Sequence, residues 1–208
     1  MKSYSNLLLS IGFLFLLISF SSLAGNNFSK NDSIVKPQVR NSPIVIANLK
    51  TAENNYVKCT YGQPLKKGRV IFGEVVPYGK LWRTGANEAT EITFTSNIKI
   101  GETSLMAGTY SMFSIPKKDK WTIILNSDLG QWGDFTYNST NNVLTFEASV
   151  SKNTDIYEGF TIQFEDQNGE SSLGGFNMNL LWDDIKVIVH VQIIGEIEKP
   201  SKKKKKRK

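Results

Sequence analysis

Cysteine and histidine are almost absent from this sequence of 208 residues, which contains one of each, Cys59 and His190. A single cysteine excludes an internal disulfide framework, and without a second histidine a zinc site of the histidine or cysteine type is not expected. Val57, Cys59 and Tyr61 stand at every second position, so they would lie on one face of a strand. This predicts that Cys59 is a small buried thiol. We therefore predict neither a metal site nor a cofactor.

The sequence also lacks familiar catalytic motifs: it has no Gly-x-Ser-x-Gly elbow, no phosphate-binding glycine loop and no His-Glu-x-x-His. A carboxylate pair could still act on a glycoside, because glycosidases use two such groups. In this hydrolase hypothesis Glu88 is the ionisable group and Glu74 or Asp134 is its partner. Nothing in the sequence brings these groups together, so Glu88 is only a weak catalytic candidate and a protein without catalytic activity is favoured.

An excess of positive charge is missing from the main part of the chain, although the formal net charge is +6. Lys199 and residues 202–208 carry eight positive charges, so the rest of the chain has a net charge of −2, or −3 without Lys2. A folded region that is not basic argues against nucleic-acid binding. Residues 196–208 are predicted to be a disordered tail, either merely solvated or attracted to an anionic membrane surface. The membrane contact would be made by Lys202, Lys203, Lys204, Lys205, Lys206, Arg207 and Lys208.

Long apolar runs are few, and the one that stands out covers residues 7–20 without a charge. Lys2 precedes this run and Ser22-Leu23-Ala24 follows it, in the order of a secretory signal peptide with its cleavage site. Its 14 residues are too few for a transmembrane helix, which needs about 20. We predict a signal peptide over residues 1–24, a flexible lead-in over residues 25–36, and a periplasmic or extracellular location.

Helical periodicity is absent between residues 37 and 195, where short alternating runs are separated by Asn, Asp, Ser, Gly and Pro. We expect one all-β domain there, with about nine or ten antiparallel strands in a β-sandwich or jelly roll. An up-and-down barrel is the alternative. Asp183 and Asp184 are predicted to form a tight hairpin turn between two strands. The predicted strands include 89–96, 98–100, 111–115, 121–125, 143–150, 155–164, 176–182 and 185–193.

Residues 68–89 do not follow this strand pattern. Four glycines and Pro77 interrupt the segment at intervals that neither a helix nor a strand tolerates. It is therefore predicted to be an ordered loop system, and loops on a rigid scaffold are frequent binding sites. The candidate ligand-binding residues, from this segment and from the glycine turn at 130–133, are Tyr78, Trp82, Arg83, Asn87, Glu88 and Trp132.

The chemistry of these side chains favours a ligand with polar or anionic groups. Trp82 offers a face on which a sugar could stack. Arg83 offers a planar fork that matches a carboxylate or a phosphate. Asn87 and Glu88 would add hydrogen bonds that orient the ligand.

A structural interpretation is open for the same residues. Arg69 or Arg83 could pair internally with Glu74 or Glu88 and so fix the loop on the scaffold. Tyr78 and Trp132 could form walls of a binding site, or they could fill the open end of a sandwich. Both interpretations use the same residue types, so the sequence does not choose between them.

The loop and the strands after it contain short motifs that are specific as a group. They are Gly68-Arg69, Phe72-Gly73, Pro77-Tyr78-Gly79, Trp82-Arg83-Thr84-Gly85-Ala86-Asn87-Glu88-Ala89-Thr90, Leu105-x-Ala107-Gly108-Thr109-Tyr110, Ile115-Pro116, Trp121 and Gln131-Trp132-Gly133. Together they resemble the DUF2911 family over about residues 40–193. That family consists of exported proteins, mostly from Bacteroidota, without an established function. The resemblance implies export, and it brings no reaction and no ligand.

Three functional hypotheses follow from these observations. The favoured one is an exported, non-enzymatic binding module for an envelope or extracellular glycan or an anionic small ligand. The second is a hydrolase that uses Glu88 as its ionisable group. The third is a structural envelope protein that adheres through its basic tail. They differ in where the interaction takes place: in the loop system, at a carboxylate, or outside the folded domain.

Overall fold

Nine β-strands and one short 3-10 helix form the part of the chain that the computed structural model describes, residues 39–51, 54–167 and 174–195. Within these ranges there is no α-helix, and so none long and apolar enough to cross a membrane. The predicted signal peptide, the lead-in and the basic tail lie outside the described residues. The strands are β1 (Ile44–Lys50), β2 (Tyr56–Gly62), β3 (Thr90–Phe94), β4 (Ile98–Ile100), β5 (Thr103–Leu105), β6 (Gly108–Pro116), β7 (Lys120–Asn126), β8 (Asn142–Asp166) and β9 (Gly175–Ile193).

All nine strands belong to one open sheet in the order β1-β2-β3-β6-β7-β8-β9-β4-β5, and the paired strands are antiparallel. This confirms the predicted all-β fold. The finer expectation of a sandwich or jelly roll is not confirmed, because hydrogen bonds link every strand into a single sheet.

The sheet curls, as the position of β4 requires. Only residues 95–97 connect β3 to β4, and a connection of that length spans at most about 14 Å, yet four strands separate the two in the sheet order. Phe94 of β3 therefore reaches Phe176 of β9, and their rings stack with centroids 6.5 Å apart. The curled sheet encloses one face, and the core lies there.

The two longest strands correct the predicted strand boundaries. β8 and β9 each join two segments that the sequence pattern predicts as separate strands. The expected hairpin turn at Asp183 and Asp184 is wrong, because both residues lie inside β9, where their carboxylates pair with Lys66 and Lys152. Pairing with β8 is irregular here: the register shifts on both sides of Tyr157, and Asp183 has a φ of 57°. A strand can bend at such an irregularity without ending.

Alternation along β2 shows how the sequence builds the core. Val57, Cys59 and Tyr61 are buried, which confirms the predicted face and the buried thiol. Burial raises the pKa of the Cys59 thiol, so it stays protonated and unreactive. The ring of Tyr61 meets Phe160 of β8 edge-on at 5.6 Å, and its hydroxyl accepts a hydrogen bond from the backbone N–H of Ile162 at 3.1 Å. β2 is thus held against β8 across the enclosed face.

One long connection, residues 63–89, links β2 to β3 and contains no strand. This confirms that residues 68–89 form a loop system. Ile71 and Val76 of the connection are buried in the core, so the connection is part of the packed structure. Single bridge pairs attach it to three distant parts of the sheet and its loops, namely Leu65 with Gly159, Trp82 with Ser114, and Glu88 with Trp132.

Candidate functional site

Trp82 occupies the centre of a cluster of aromatic rings. Its ring centroid lies 5.0 Å from that of Phe160, 5.8 Å from Trp121 and 6.0 Å from Trp182. The indole Nε1–H donates to the carbonyl oxygen of Gly85 at 2.9 Å, and the residue is 9% exposed. A tryptophan with its N–H satisfied and its ring surrounded in this way serves the core. The structure therefore leaves no open ring face of Trp82 for a sugar.

The loop that carries Arg83 is held in one conformation by backbone contacts. The N–H and the carbonyl of Trp82 exchange hydrogen bonds with the backbone of Ser114, each 2.8 Å long. The N–H of Ala86 donates to the carbonyl of Gly62 at 3.0 Å. A Cβ atom on Gly62 would lie 1.9 Å from the carbonyl oxygen of Ala86, so only glycine allows this approach. The position of Arg83 is thus set by contacts on both sides of the loop.

The guanidinium of Arg83 donates no hydrogen bond to any of the described residues. Its Nε is buried and has no hydrogen-bond acceptor among the described residues. Leaving a buried donor unsatisfied costs about 1–3 kcal/mol, and more for a charged group, so such donors are rare in native structures. The expected internal pair with Glu88 does not form, because Glu88 binds Arg40. Gly133 leaves room for the guanidinium, since a Cβ there would lie 2.8 Å from Nη1.

A pocket of about 500 Å³ has Arg83 in its lining, and we call it the basic pocket. Lys67, Arg69 and Arg83 bring three positive charges to its lining. No aspartate, glutamate or histidine is among the described residues that line it. The complete lining consists of Asn41, Ser42, Pro64, Leu65, Lys67, Arg69, Val75, Val76, Trp82, Arg83, Gly85, Ala86 and Trp182. Cations without a matching carboxylate make this pocket suited to an anion.

A turn after Leu65 presents the two outer cations. The backbone N–H of Lys67, at a φ of 48°, donates to Oε1 of Glu158 at 2.8 Å. Arg69 donates from Nε to the carbonyl of Lys66 at 3.0 Å and from Nη2 to that of Leu65. These bonds fix the guanidinium plane of Arg69. Within the described part of the chain, neither the Lys67 ammonium nor Nη1 of Arg69 has a hydrogen-bond partner.

Glu88 is engaged by Arg40 in a two-pronged ion pair. Nη1 of Arg40 donates to Oε1 at 2.9 Å, and Nη2 donates to Oε2. These hydrogen bonds hold the pKa of the Glu88 carboxyl below its ordinary value. The acid of a glycosidase needs a raised pKa, so this environment is the opposite of what the hydrolase hypothesis requires of an acid. The pair also anchors the segment whose next residues, Asn41 and Ser42, line the basic pocket.

The other predicted site residues lie apart from the basic pocket. Tyr78 is 37% exposed and stands beside Gly73. Asn87 has a φ of 67° and its carbonyl accepts the N–H of Gly133 at 2.9 Å, so its backbone contributes to a turn. Trp132 is 59% exposed, and the idea that it fills an open end of the fold is wrong for that reason. None of the three lines the basic pocket, whereas Trp82 and Arg83 do.

Sequence reasoning missed three residues that matter at this site. Lys67 is not among the predicted site residues, a structural role is the favoured prediction for Arg69, and the partner of Glu88 is Arg40, at a separation of 48 positions. A signal for the first two was present, because Lys66, Lys67 and Arg69 form a basic group in a region of net negative charge. No local pattern identifies Arg40. Over the described ranges, no three His, Cys, Asp or Glu side chains group in a way that could hold a metal ion.

Comparison with known proteins supplies a family and no activity. The family model described as "Protein of unknown function (DUF2911)" matches residues 42–191. A search of curated proteins and a search of solved structures found no match. The matched range includes β1 to β8, most of β9, and every residue of the basic pocket except Asn41. On the extent of this match, the chain belongs to the DUF2911 family.

Proposed function

We propose that this protein is an exported binding protein that holds an anionic group of a small ligand in the basic pocket. The observation that carries the proposal is that Arg83 lines a pocket with three cations while its guanidinium has no hydrogen-bond acceptor among the described residues. A bound carboxylate, phosphate or sulfate would supply the missing acceptor, and arginine binds such groups through two parallel hydrogen bonds.

An anionic ligand is favoured over a neutral glycan by the state of the aromatic residues. Trp82 is packed on its neighbours, so a sugar cannot stack on its face. The remaining polar groups of the pocket are chiefly cationic donors, whereas a glycan site also needs acceptors such as carboxylates for sugar hydroxyls. The charge of the pocket therefore supports an anion.

Binding is favoured over catalysis because the pocket offers no general base of the usual kind. Its described lining contains no carboxylate and no imidazole that could accept a proton from water or from a hydroxyl. Glu88, the residue of the hydrolase hypothesis, is paired with Arg40 and is not part of the lining. Export through residues 1–24 and attachment through the basic tail stay predictions from the sequence.

The proposal is tested by thermal unfolding of the protein in sodium phosphate and in sodium chloride at equal ionic strength. A ligand that binds only the folded state stabilises it by RT ln(1 + [L]/Kd), so phosphate should raise the melting temperature of the wild type above its value in chloride. Arg83→Gln and Arg69→Gln should reduce this increase. Lys118→Gln is the matched control, because Lys118 is exposed and lies outside the lining.

Phosphate also stabilises many proteins by exclusion from their surface, so the comparison among variants decides the outcome. An equal increase in the wild type and in all three variants would reject the basic pocket as the site. The same conclusion follows if phosphate has no effect on the wild type. Arg69→Gln is measured beside Arg83→Gln because Arg69 is exposed. Its replacement leaves the packed loop around Arg83 intact.

A further inference from the structure

We infer that the ligand of the basic pocket is an organic phosphate monoester with an apolar body, and not a free inorganic ion. This inference rests on the proposed function and specifies its ligand. Two properties of the pocket lead to it: one wall is apolar, and the cationic side carries more charge than a single carboxylate can balance.

The size and the apolar wall of the pocket point to an organic ligand. Pockets that hold small organic molecules measure about 300–1,000 Å³ and are lined mainly by apolar side chains with a few polar groups. The basic pocket, at about 500 Å³, lies within this range. Leu65 and Val75 supply accessible apolar surface to its lining, and Val76, Trp82 and Trp182 lie buried behind them. An inorganic ion would leave that surface in contact with water, whereas an apolar group would cover it.

Val75 is the most informative residue of this wall. It is 39% exposed, although a valine of a well-packed connection could be buried as Val76 is. Val75 lines the pocket, so an apolar ligand body can bury it on binding. Val70 lies in the same connection and is 55% exposed, yet it is not part of the lining. The chain therefore offers a matched pair of exposed valines, one in the pocket and one outside it.

The number of cations points to a group with two negative charges. Lys67, Arg69 and Arg83 line the pocket without any described carboxylate beside them in the lining. A phosphate monoester carries a charge of about −1.5 to −2 at neutral pH and has three acceptor oxygens. It therefore has enough charge and acceptors to match the guanidinium of Arg83, Nη1 of Arg69 and the Lys67 ammonium together, whereas a carboxylate has one charge and two oxygens.

The inference is tested by isothermal titration of the protein with three probes: phenyl phosphate, inorganic phosphate and phenyl sulfate. Phenyl phosphate should bind at least about tenfold more tightly than either of the others, which corresponds to about 1.4 kcal/mol. Inorganic phosphate keeps the charge and lacks the ring. Phenyl sulfate keeps the ring and has one negative charge fewer.

The valine pair then shows whether the ring binds on the apolar wall. Val75→Asn should lower the ratio of phenyl phosphate to inorganic phosphate affinity, and Val70→Asn should leave that ratio at its wild-type value. A ratio that both variants lower equally, or that neither lowers, would overturn the placement of the apolar body in this pocket. Both substitutions are at exposed positions, so folded protein is expected in each case.

The outcomes separate this inference from the proposed function. If inorganic phosphate binds as tightly as phenyl phosphate and Arg69→Gln weakens both, the proposed anion site stands and the organic ligand is excluded. If phenyl sulfate matches phenyl phosphate, the requirement for two charges is excluded. If none of the three probes binds, the proposed function falls together with the inference.

Discussion

Two tryptophans of this protein have similar sequence settings and opposite positions. Trp82 and Trp132 each lie between glycines in a loop, and each forms a single bridge pair with a distant residue, Ser114 and Glu88 respectively. Trp82 is 9% exposed and packs among aromatic rings, whereas Trp132 is 59% exposed. Backbone attachment is therefore alike in the two loops, and the surroundings of the side chains differ.

A tryptophan in a glycine-rich loop therefore indicates that the backbone is ordered, but it does not indicate whether the ring is buried or exposed. The connection that carries Trp82 crosses the enclosed face of the sheet, where Phe160 and Trp182 from β8 and β9 receive its ring. The turn that carries Trp132 attaches to the connection from outside, through hydrogen bonds of Gly133 and Ala89. The first loop builds a wall of the basic pocket and the second supports its arginine.

Replacing the buried tryptophan tests the comparison most strongly. Trp82→Ala should lower the free energy of unfolding by about 3–5 kcal/mol, because it removes a large ring from a packed core and leaves a cavity. Urea unfolding followed by fluorescence measures the change. A loss below about 1 kcal/mol would show that the ring is not enclosed as the structure describes. Trp82→Phe should cost less than Trp82→Ala, since part of the ring contact survives.

The ion pair between Arg40 and Glu88 should contribute less to the free energy of unfolding than the ring of Trp82 does. Its contribution should depend on pH. Arg40 lowers the pKa of Glu88 in the folded state. The pair therefore stabilises the protein at pH values above 4.5, which is the ordinary pKa of the glutamate side chain. This contribution is lost as the pH falls through the lowered pKa. Glu88→Gln should therefore be less stable than the wild type at neutral pH, by much less than Trp82→Ala, because both side chains are partly exposed.

Denaturant unfolding of Glu88→Gln, Arg40→Gln and the double variant, at neutral and at strongly acid pH, measures this interaction. The coupling between the two substitutions should be present at neutral pH and absent in acid. Coupling that persists after the carboxyl is protonated would contradict an ionic origin.

The smallest effect is expected at the exposed tryptophan. Trp132→Ala should change the free energy of unfolding by no more than about 0.5 kcal/mol, because substitutions at exposed positions away from packed features have effects of this size. The same urea unfolding measurement as for Trp82 gives a direct comparison. A loss as large as that of Trp82→Ala would remove the distinction between the two loops.

The strand pattern shows how far the sequence alone leads. The predicted strand 98–100 coincides with β4, and Cys59 is buried with Val57 and Tyr61 as its alternation indicates. The error at Asp183 and Asp184 has a physical reason: adjacent polar residues usually mark a turn, but here each carboxylate pairs with a lysine while the strand continues. The local sequence pattern predicts on which face of the sheet a side chain lies, but it does not predict whether a strand bends or ends.

The candidate site was predictable only in part. Trp82 and Arg83 do line the basic pocket, which the spacing of glycines around them had indicated as a loop region. The stacking role expected for Trp82 was based on its residue type, and its burial by β8 and β9 could not be seen locally. Arg83 and Glu88 are close in sequence and of opposite charge, yet Glu88 pairs with Arg40. Closeness in the sequence therefore does not predict which charged side chains pair in the folded protein.

By itself the sequence determined the all-β class, the buried face of β2 and the irregular connection between β2 and β3, because these depend on residue type and short-range periodicity. Only the tertiary structure decided which tryptophan is buried, which acid Arg40 holds and which cations share a pocket. Those outcomes depend on residues far apart in the chain that the curled sheet brings together, and their meeting leaves no local pattern.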